Sequence, residues 1–526
     1  MIRRAMDRRE AIGLGLLLIL AAAVRFIGLP GRGTWDADQG HDMLVLLDLV
    51  RHGTIPLLGP PTSIGDFHHG AIYYFLLAPA AFLSNADPTA VVAEIALAGV
   101  AAVGVTWWLA RSIGGPVAGF AAALAMAVSS SAIDESTFIW NPNLIALSSA
   151  IALTGAWQAR TTGRTRWWLV AAIGLLVTMQ CHVLGVALLP PVAALWVQTV
   201  RSTPRGAART RIVRAGLAGV AIILAGYLPL LVYELGHGFA ETHAALAFIA
   251  SGGTGVSVTL PVRLLFVGLR ILAWPLAGLL TDGLVAGVVA GVVVAAGLAR
   301  RAGRAPEPER SAARWLAATL LFGWIILTFG AAGLSTVSPL PVDHYHAFLD
   351  PVVFVALGLG VAAVWRASLV AARVSAIGAL GALLAWNVWI WPPAVAADGG
   401  WPAGRAAGDR IGAVLAGRPA TFASLPTFKS ADTYRFPVER DHPGSTAPAR
   451  TTGNAGATDG DAGVSPTPLL SGLVIVCDSL FVRDCGGPAE DAYLADPTTA
   501  PGRSFRLADR WLAAPRQTVS VYLPMP

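Results

Sequence analysis

The chain has 526 residues, 55% hydrophobic and 13% charged, with a mean hydropathy of +0.62. A soluble domain is about a quarter charged, so the composition excludes an ordinary soluble protein and points to helices that satisfy their own backbone in lipid. The net charge of +6 sits in short arginine-rich loops, a pattern of membrane topology and not of nucleic-acid binding.

The chain opens with MIRRAMDRRE and an apolar run, Ala11–Leu29. Ala21–Ala23 offers small residues for cleavage, but the run is long enough to span, so a retained signal-anchor is expected. A polar segment over residues 30–70 follows. Apolar runs then come in succession, at Ala71–Ser84, Pro88–Leu109, Pro116–Ser131, Asn143–Trp157, Trp167–Gln180, Val183–Val200, Ala215–Leu235, Leu264–Leu280, Leu284–Leu298, Trp315–Leu334, Ala347–Val364 and Val374–Trp391. The fold class is an α-helical polytopic membrane protein of about 11–13 spans. Ala71–Ser84 is short for a span. Leu264–Leu298 reads either as two spans or as one span with an interfacial helix.

Met1–Arg9, Arg160–Arg166, Arg201–Arg214, Arg300–Arg314 and Arg366–Arg373 are basic and should be cytoplasmic. The polar loops between them, and the tail after Trp391, then fall outside, as expected of a plasma-membrane protein. The division expected is residues 1–391 in the membrane and 392–526 as a small extracytoplasmic α/β tail. In the tail, Ala420–Leu425 and Leu473–Cys477 read as strands and Gly408–Leu415 as a helix. Residues 442–468, rich in Gly, Ala, Ser, Thr and Pro, read as a disordered insert. Cys477 and Cys485 enclose a short loop, and on the outer side of a membrane a disulfide between them is expected.

Polar residues concentrate in the outer loops. Asp36, Asp38, His41 and Asp42 fall within seven residues at the start of an amphipathic segment. One reading is a helix N-cap cluster; the other is a carboxylate that takes a proton or holds a cation, since boundary charge is functional by default. Asp66, His68 and His69 precede the aromatic pair Tyr73-Tyr74, which also suits an interfacial belt. Asp134-Glu135 and Asn141 share a later loop, His182 lies at a turn between two runs, and Asp343-His344-Tyr345-His346 opens another run. The histidines can equally be satisfied bundle residues or helix caps. No cysteine or histidine set has structural zinc spacing. Carboxylates with histidines suit two jobs, a general base on one substrate and donors to an anionic phosphate on another.

One span, an outer loop with D-x-D at a helix start, then a His-rich turn entering an aromatic helix: this order resembles the GT-C integral-membrane glycosyltransferases. Within them it is similar to the protein O-mannosyltransferases and lipid A aminoarabinose transferases (glycosyltransferase family 39-like). Their first outer loop carries D-x-D-E or D-E, and here it is Asp36-Ala37-Asp38-Gln39. Their H-P-P-L-Y-Y stands here as His69-Gly70-Ala71-Ile72-Tyr73-Tyr74. Their R-Y-x-x-P-x-x-P has a similar shape in Tyr345-His346-Ala347-Phe348-Leu349-Asp350-Pro351. Gln39 departs from the family's Glu, and His344 or His346 stands where the family has a fixed cation.

The resemblance implies transfer of a sugar from a polyprenyl-phosphate donor, held among membrane lipid, to an acceptor hydroxyl of an extracytoplasmic glycan, lipid or protein. Asp38 is then the expected base, with Asp36 as helper. Asp36 and Asp38 would be the ligands of any divalent cation, magnesium or manganese. His68, His69, His344, Tyr345 and His346 are expected on the phosphate side, and Asp42, Tyr73, Asn141 and His182 in the acceptor site or pocket. The rival classes are a transporter or flippase for an anionic lipid or solute, and a non-catalytic envelope-assembly protein.

Overall fold

The computed structural model describes residues 6–62, 67–251, 258–278, 280–330, 344–367, 369–446, 472–496 and 505–525. The opening helix, Arg8–Phe26, is started by Asp7, whose side chain accepts from the Glu10 amide at 2.9 Å. Arg25, in its last turn, is buried against the bundle. A short turn leads into the helix Ala37–His52. There Met43, Leu46 and Leu47 are buried at helical spacing, and Gly53 closes it in the left-handed region at φ 72°.

Among the described residues seven helices are long and apolar enough to cross a membrane. An eighth arises if Ala207–Gly226 and Leu228–Gly236, bent by 44°, are one span. Three shorter apolar helices, Ile72–Ser84, Pro116–Val128 and Arg166–Cys181, complete the apolar set. The ambiguous stretch forms two helices, Leu260–Ala277 and Leu280–Arg304, each long enough to span. Ile72–Ser84 has 13 residues, and buried Tyr73, Tyr74 and Leu77 pin it to the bundle rather than across it. Ala347–Trp365 is the most enclosed of the long helices. Helices Ile145–Thr162 and Arg166–Cys181 approach through glycine. A Cβ on Gly174 would lie 2.5 Å from the Ala152 amide nitrogen, and one on Gly155 would lie 2.7 Å from that of Ala171.

Two of the basic segments meet at one end of the bundle. Glu309 is bound by Arg301 from one and by Arg366, at 3.1 Å, from the other. Glu10 pairs there with Arg111 at 2.5 Å.

The C-terminal part is α/β. Its four strands are β1 (Ala420–Leu425), β2 (Gly472–Asp478), β3 (Phe505–Ala514) and β4 (Gln517–Pro524), in the order β1-β2-β4-β3. β1 and β2 are parallel and the other pairs antiparallel. β2 is buried throughout, because helices cover both faces. Gly400–Leu415 and Asp432–Asp441 pack Ile411, Leu415 and Tyr434 on Val474, Val476 and Val519, while Tyr493 and Leu494 pack against Leu473 and Ile475. Cys477 and Cys485 form a disulfide with Cα atoms 5.5 Å apart. The strand expected at 420–425 is β1, that at 473–477 lies in β2, and the helix expected at 408–415 is the second half of a longer one. Of the expected insert, residues 447–468 lie outside the described residues, as do Asp66 and Asp343.

This unit is bolted to the helix Ala37–His52. Trp35 Nε1 donates to the Thr433 carbonyl at 2.8 Å, and the Trp35 ring packs on Trp401 and Phe436 at 4.6 and 5.6 Å. Arg51 donates to the carbonyls of Glu439 and Arg440, and Arg440 pairs with Asp87 at 2.9 Å.

Candidate functional site

The acidic cluster sits at the first turn of Ala37–His52, under the C-terminal unit. Asp36 is the N-cap residue; its amide donates to Gln39 Oε1 at 2.9 Å. Gln39 Nε2 in turn donates to the Ile139 carbonyl at 2.9 Å. Gln39 is therefore a strut between two backbone segments, with an acceptor facing one and a donor facing the other. Glutamate could not supply that donor. Asp36 also accepts from Gln517 Nε2 at 2.9 Å.

Asp38 is reachable by solvent yet walled in by protein. That desolvation, then the charge of Asp36, pushes its carboxyl above the ordinary aspartate value, while His41 and Lys429 pull it down. One turn on, His41 Nδ1 lies 3.2 Å from Asp432 Oδ2. Asp42 is buried and accepts from the hydroxyls of Tyr73 and Tyr74, each at 2.8 Å. Burial pushes it up to about 7, against the charge of His41 and the two tyrosine bonds.

A second centre adjoins the first. His69 lies four residues before Tyr73, and the Gly70 amide donates to the Gln180 carbonyl at 2.8 Å. A Cβ at Gly70 would stand 1.8 Å from Gln180 Oε1, so a larger residue here would displace the Gln180 side chain. The His69 ring is 4.9 Å from His182, His182 is 5.1 Å from His344, and His344 packs on Trp140 and Tyr345, each at 4.3 Å. Asn141 Nδ2 donates to the Cys181 carbonyl and so holds the turn that carries His182. Burial, with His182 and His68 nearby, holds His69 well below the ordinary histidine value. Burial, with His69 and His346, holds His344 at about 3. These rings are neutral near pH 7, so they offer hydrogen bonds and surface, not positive charge.

Two expected members lie apart. His68 is committed to Glu241, with Nδ1 2.9 Å from Oε1 and its amide 2.7 Å from Oε2. His346 is buried and bonds Asp350 at 2.8 Å through Nδ1; Trp274, whose Nε1 donates to Glu135 at 3.2 Å, stands beside it. Among the described residues no set of three or more His, Cys, Asp or Glu side chains is placed to hold a metal ion. Asp36 also spends an oxygen on Gln517. The acidic cluster does not fit a divalent cation.

No family model and no curated protein sequence matches the chain. Among solved structures it is similar to ArnT from Cupriavidus metallidurans bound to undecaprenyl phosphate. The TM-score is 0.61 at 15% identity, over 96% of this chain and 97% of that one. The apo form of the same protein gives 0.60 at 14% identity, over 97% and 98%. The Archaeoglobus fulgidus oligosaccharyltransferase in complex with zinc and sulfate aligns at 0.44 and 13% identity, over 77% of this chain and 55% of that one. This is the GT-C fold.

Sequence reasoning missed residues that the C-terminal unit brings to the acidic cluster, and one charge inside an apolar helix. Asp432, Lys429 and Gln517 come from the C-terminal unit, hundreds of residues away, and nothing local marks them. Arg270 did carry a signal, since an arginine inside an apolar helix is functional by default. It is buried on Leu260–Ala277, on the same face as Trp274 one turn on.

Proposed function

We propose that the protein is a membrane glycosyltransferase that moves a sugar from a polyprenyl-phosphate donor to an acceptor hydroxyl on the outer side of the plasma membrane. The observation that carries this reading is the placement of Asp38. It is a carboxylate reachable by solvent but enclosed by protein, at the head of a boundary helix, in a fold shared over its length with a protein bound to undecaprenyl phosphate.

The acceptor O–H gives its proton to Asp38 as its oxygen bonds to the anomeric carbon. The bond from that carbon to the phosphate oxygen breaks, and its electron pair leaves with the polyprenyl phosphate. The elevated carboxyl makes Asp38 a stronger base than a surface aspartate. The charges of His41 and Lys429 oppose that rise. Asp42, fixed by two tyrosines, holds the floor of the site. The departing phosphate needs a permanent cation in a dry site, and buried Arg270 suits that need better than the neutral histidines. The His69–His182–His344 stack is a hydrogen-bonding wall beside it. The outward orientation rests on the basic segments that meet at Glu309.

The test is purified protein in detergent with polyprenyl-phosphate sugars and an envelope extract. Release of polyprenyl phosphate with sugar appearing on an extract component supports the reading; an intact donor under all conditions contradicts it.

A further inference from the structure

β1 and β2 lie side by side and parallel, with Leu425 opposite Cys477, so the loops that leave their carboxyl ends emerge together. In open α/β sheets this is the edge at which ligands sit. Here each loop carries an exposed phenylalanine. Phe428 is 71% exposed and Phe481 50%, and their rings meet edge to face with centroids 5.4 Å apart. Leu480, beside them, is exposed as well. Exposed apolar side chains in contact form a patch, and such a patch marks a site of interaction.

The loops are held in place. Asp478, the last residue of β2, accepts from the Leu480 amide through Oδ1 at 2.9 Å and from the Val482 amide through its carbonyl at 3.0 Å. The Cys477–Cys485 disulfide closes the same loop. Lys429 ties the two loops together, with Nζ 2.7 Å from Asp478 Oδ2 and 4.8 Å from the centre of the Phe481 ring.

This edge of the sheet meets the acidic cluster. Asp478 stands opposite Gln517 at the start of β4, and Gln517 Nε2 donates to Asp36 at 2.9 Å. Lys429 is close enough for its charge to act on Asp38. Phe481 is thus one contact out from Lys429 and Phe428 two, at the rim of the site.

The surroundings select the occupant. Residues 426–430 and 478–485 carry two cations, Lys429 and Arg483, and two anions, Asp478 and Asp484. A surface that enters an anionic bilayer is rich in Lys and Arg, and this one is balanced. Bare ring faces among charges of both signs suit a sugar. Its C–H face lies on the electron-rich face of a ring, and its hydroxyls find donors and acceptors alongside.

We propose that Phe428 and Phe481 form a platform on which a sugar ring of the acceptor stacks, which brings the acceptor hydroxyl toward Asp38. The inference rests on the transfer reading above and narrows the acceptor to one that already carries a sugar.

The test uses the full-length protein in detergent with polyprenyl-phosphate sugars as donors and envelope extract as the acceptor probe, each titrated in turn. Phe428→Leu with Phe481→Leu keeps apolar side chains and removes the rings. It should raise the half-saturating amount of extract about tenfold and leave that of the donor within about twofold. Phe428→Tyr with Phe481→Tyr keeps the rings and should stay within about threefold of the wild type for both. A leucine variant that matches the wild type overturns the platform, since apolar contact with lipid would then suffice. So does an equal weakening of donor and acceptor, or a tyrosine variant as weak as the leucine one. A product in which the sugar is joined directly to protein, or to a lipid that carries no other sugar, also overturns it while leaving transfer intact. A wild type that leaves every donor intact removes the transfer reading, and the platform with it.

Discussion

His41 Nδ1 lies 3.2 Å from Asp432 Oδ2, and this bond joins the first boundary helix to the C-terminal unit across 391 residues. Burial alone would raise Asp432 and lower His41, but their hydrogen bond and mutual charge outweigh it. Asp432 ends below its ordinary value and His41, with Asp42 and Asp38 also near, ends above its own.

The sign of this pair can be tested by melting. A raised His41 lends stability that is complete below 6.5 and lost as the pH rises through the raised value; a lowered Asp432 lends stability that is present above 3.8 and lost as the pH falls through the lowered value. Asp432→Asn should therefore lower the melting temperature most between pH 3.8 and 6.5, and less as the pH climbs past the titration of His41. An equal loss at every pH would show that the carboxylate acts by packing alone.

The pH profile of transfer should report the surroundings of Asp38. A base must be ionised, so activity falls as the pH drops through its raised value. His41→Gln and Lys429→Ala remove charges that hold Asp38 down, so the acidic limb should move to higher pH. Asp36→Asn removes a charge that holds it up, so the limb should move to lower pH. Profiles superimposable on the wild type would deny these groups any electrostatic hold on Asp38.

Gln39→Glu restores the residue that the family pattern carries, and it should nevertheless destabilise the protein. The new carboxylate would face the Ile139 carbonyl with no hydrogen to offer. The cost is about 1–3 kcal/mol for an unsatisfied buried group, read as a lower melting temperature. A variant as stable as the wild type would remove the strut.

The tail should carry its disulfide outside the cell. Cys181 is buried, so an impermeant thiol reagent on intact cells should label only after reductant, at Cys477 and Cys485. Labelling without reductant contradicts the bond, and labelling confined to lysed cells contradicts the orientation.

What was legible in the sequence is what lives in local pattern. Apolar runs marked the helices within a few residues, and short β-branched or apolar runs marked β1 and β2. The polar outer-loop motifs singled out His69, His182 and His344, whose rings lie in one cluster. Partnerships between distant segments leave no local trace, so the Asp432 and Gln517 contacts were invisible, as was the commitment of His68 to Glu241. Helix Asp432–Asp441 hid behind an internal Pro437, a residue that usually ends helices. Arg270 is a visible charge in an apolar run that otherwise reads as a plain span.

The central claim is that Asp38 takes the proton from the acceptor. Asparagine there keeps the size and removes the charge, so the direct measurement is transfer by Asp38→Asn from a purified polyprenyl-phosphate sugar, beside a thermal melt. The account predicts a rate lower by about 10²–10⁴-fold in a protein that melts like the wild type. Turnover near the wild-type rate would contradict it.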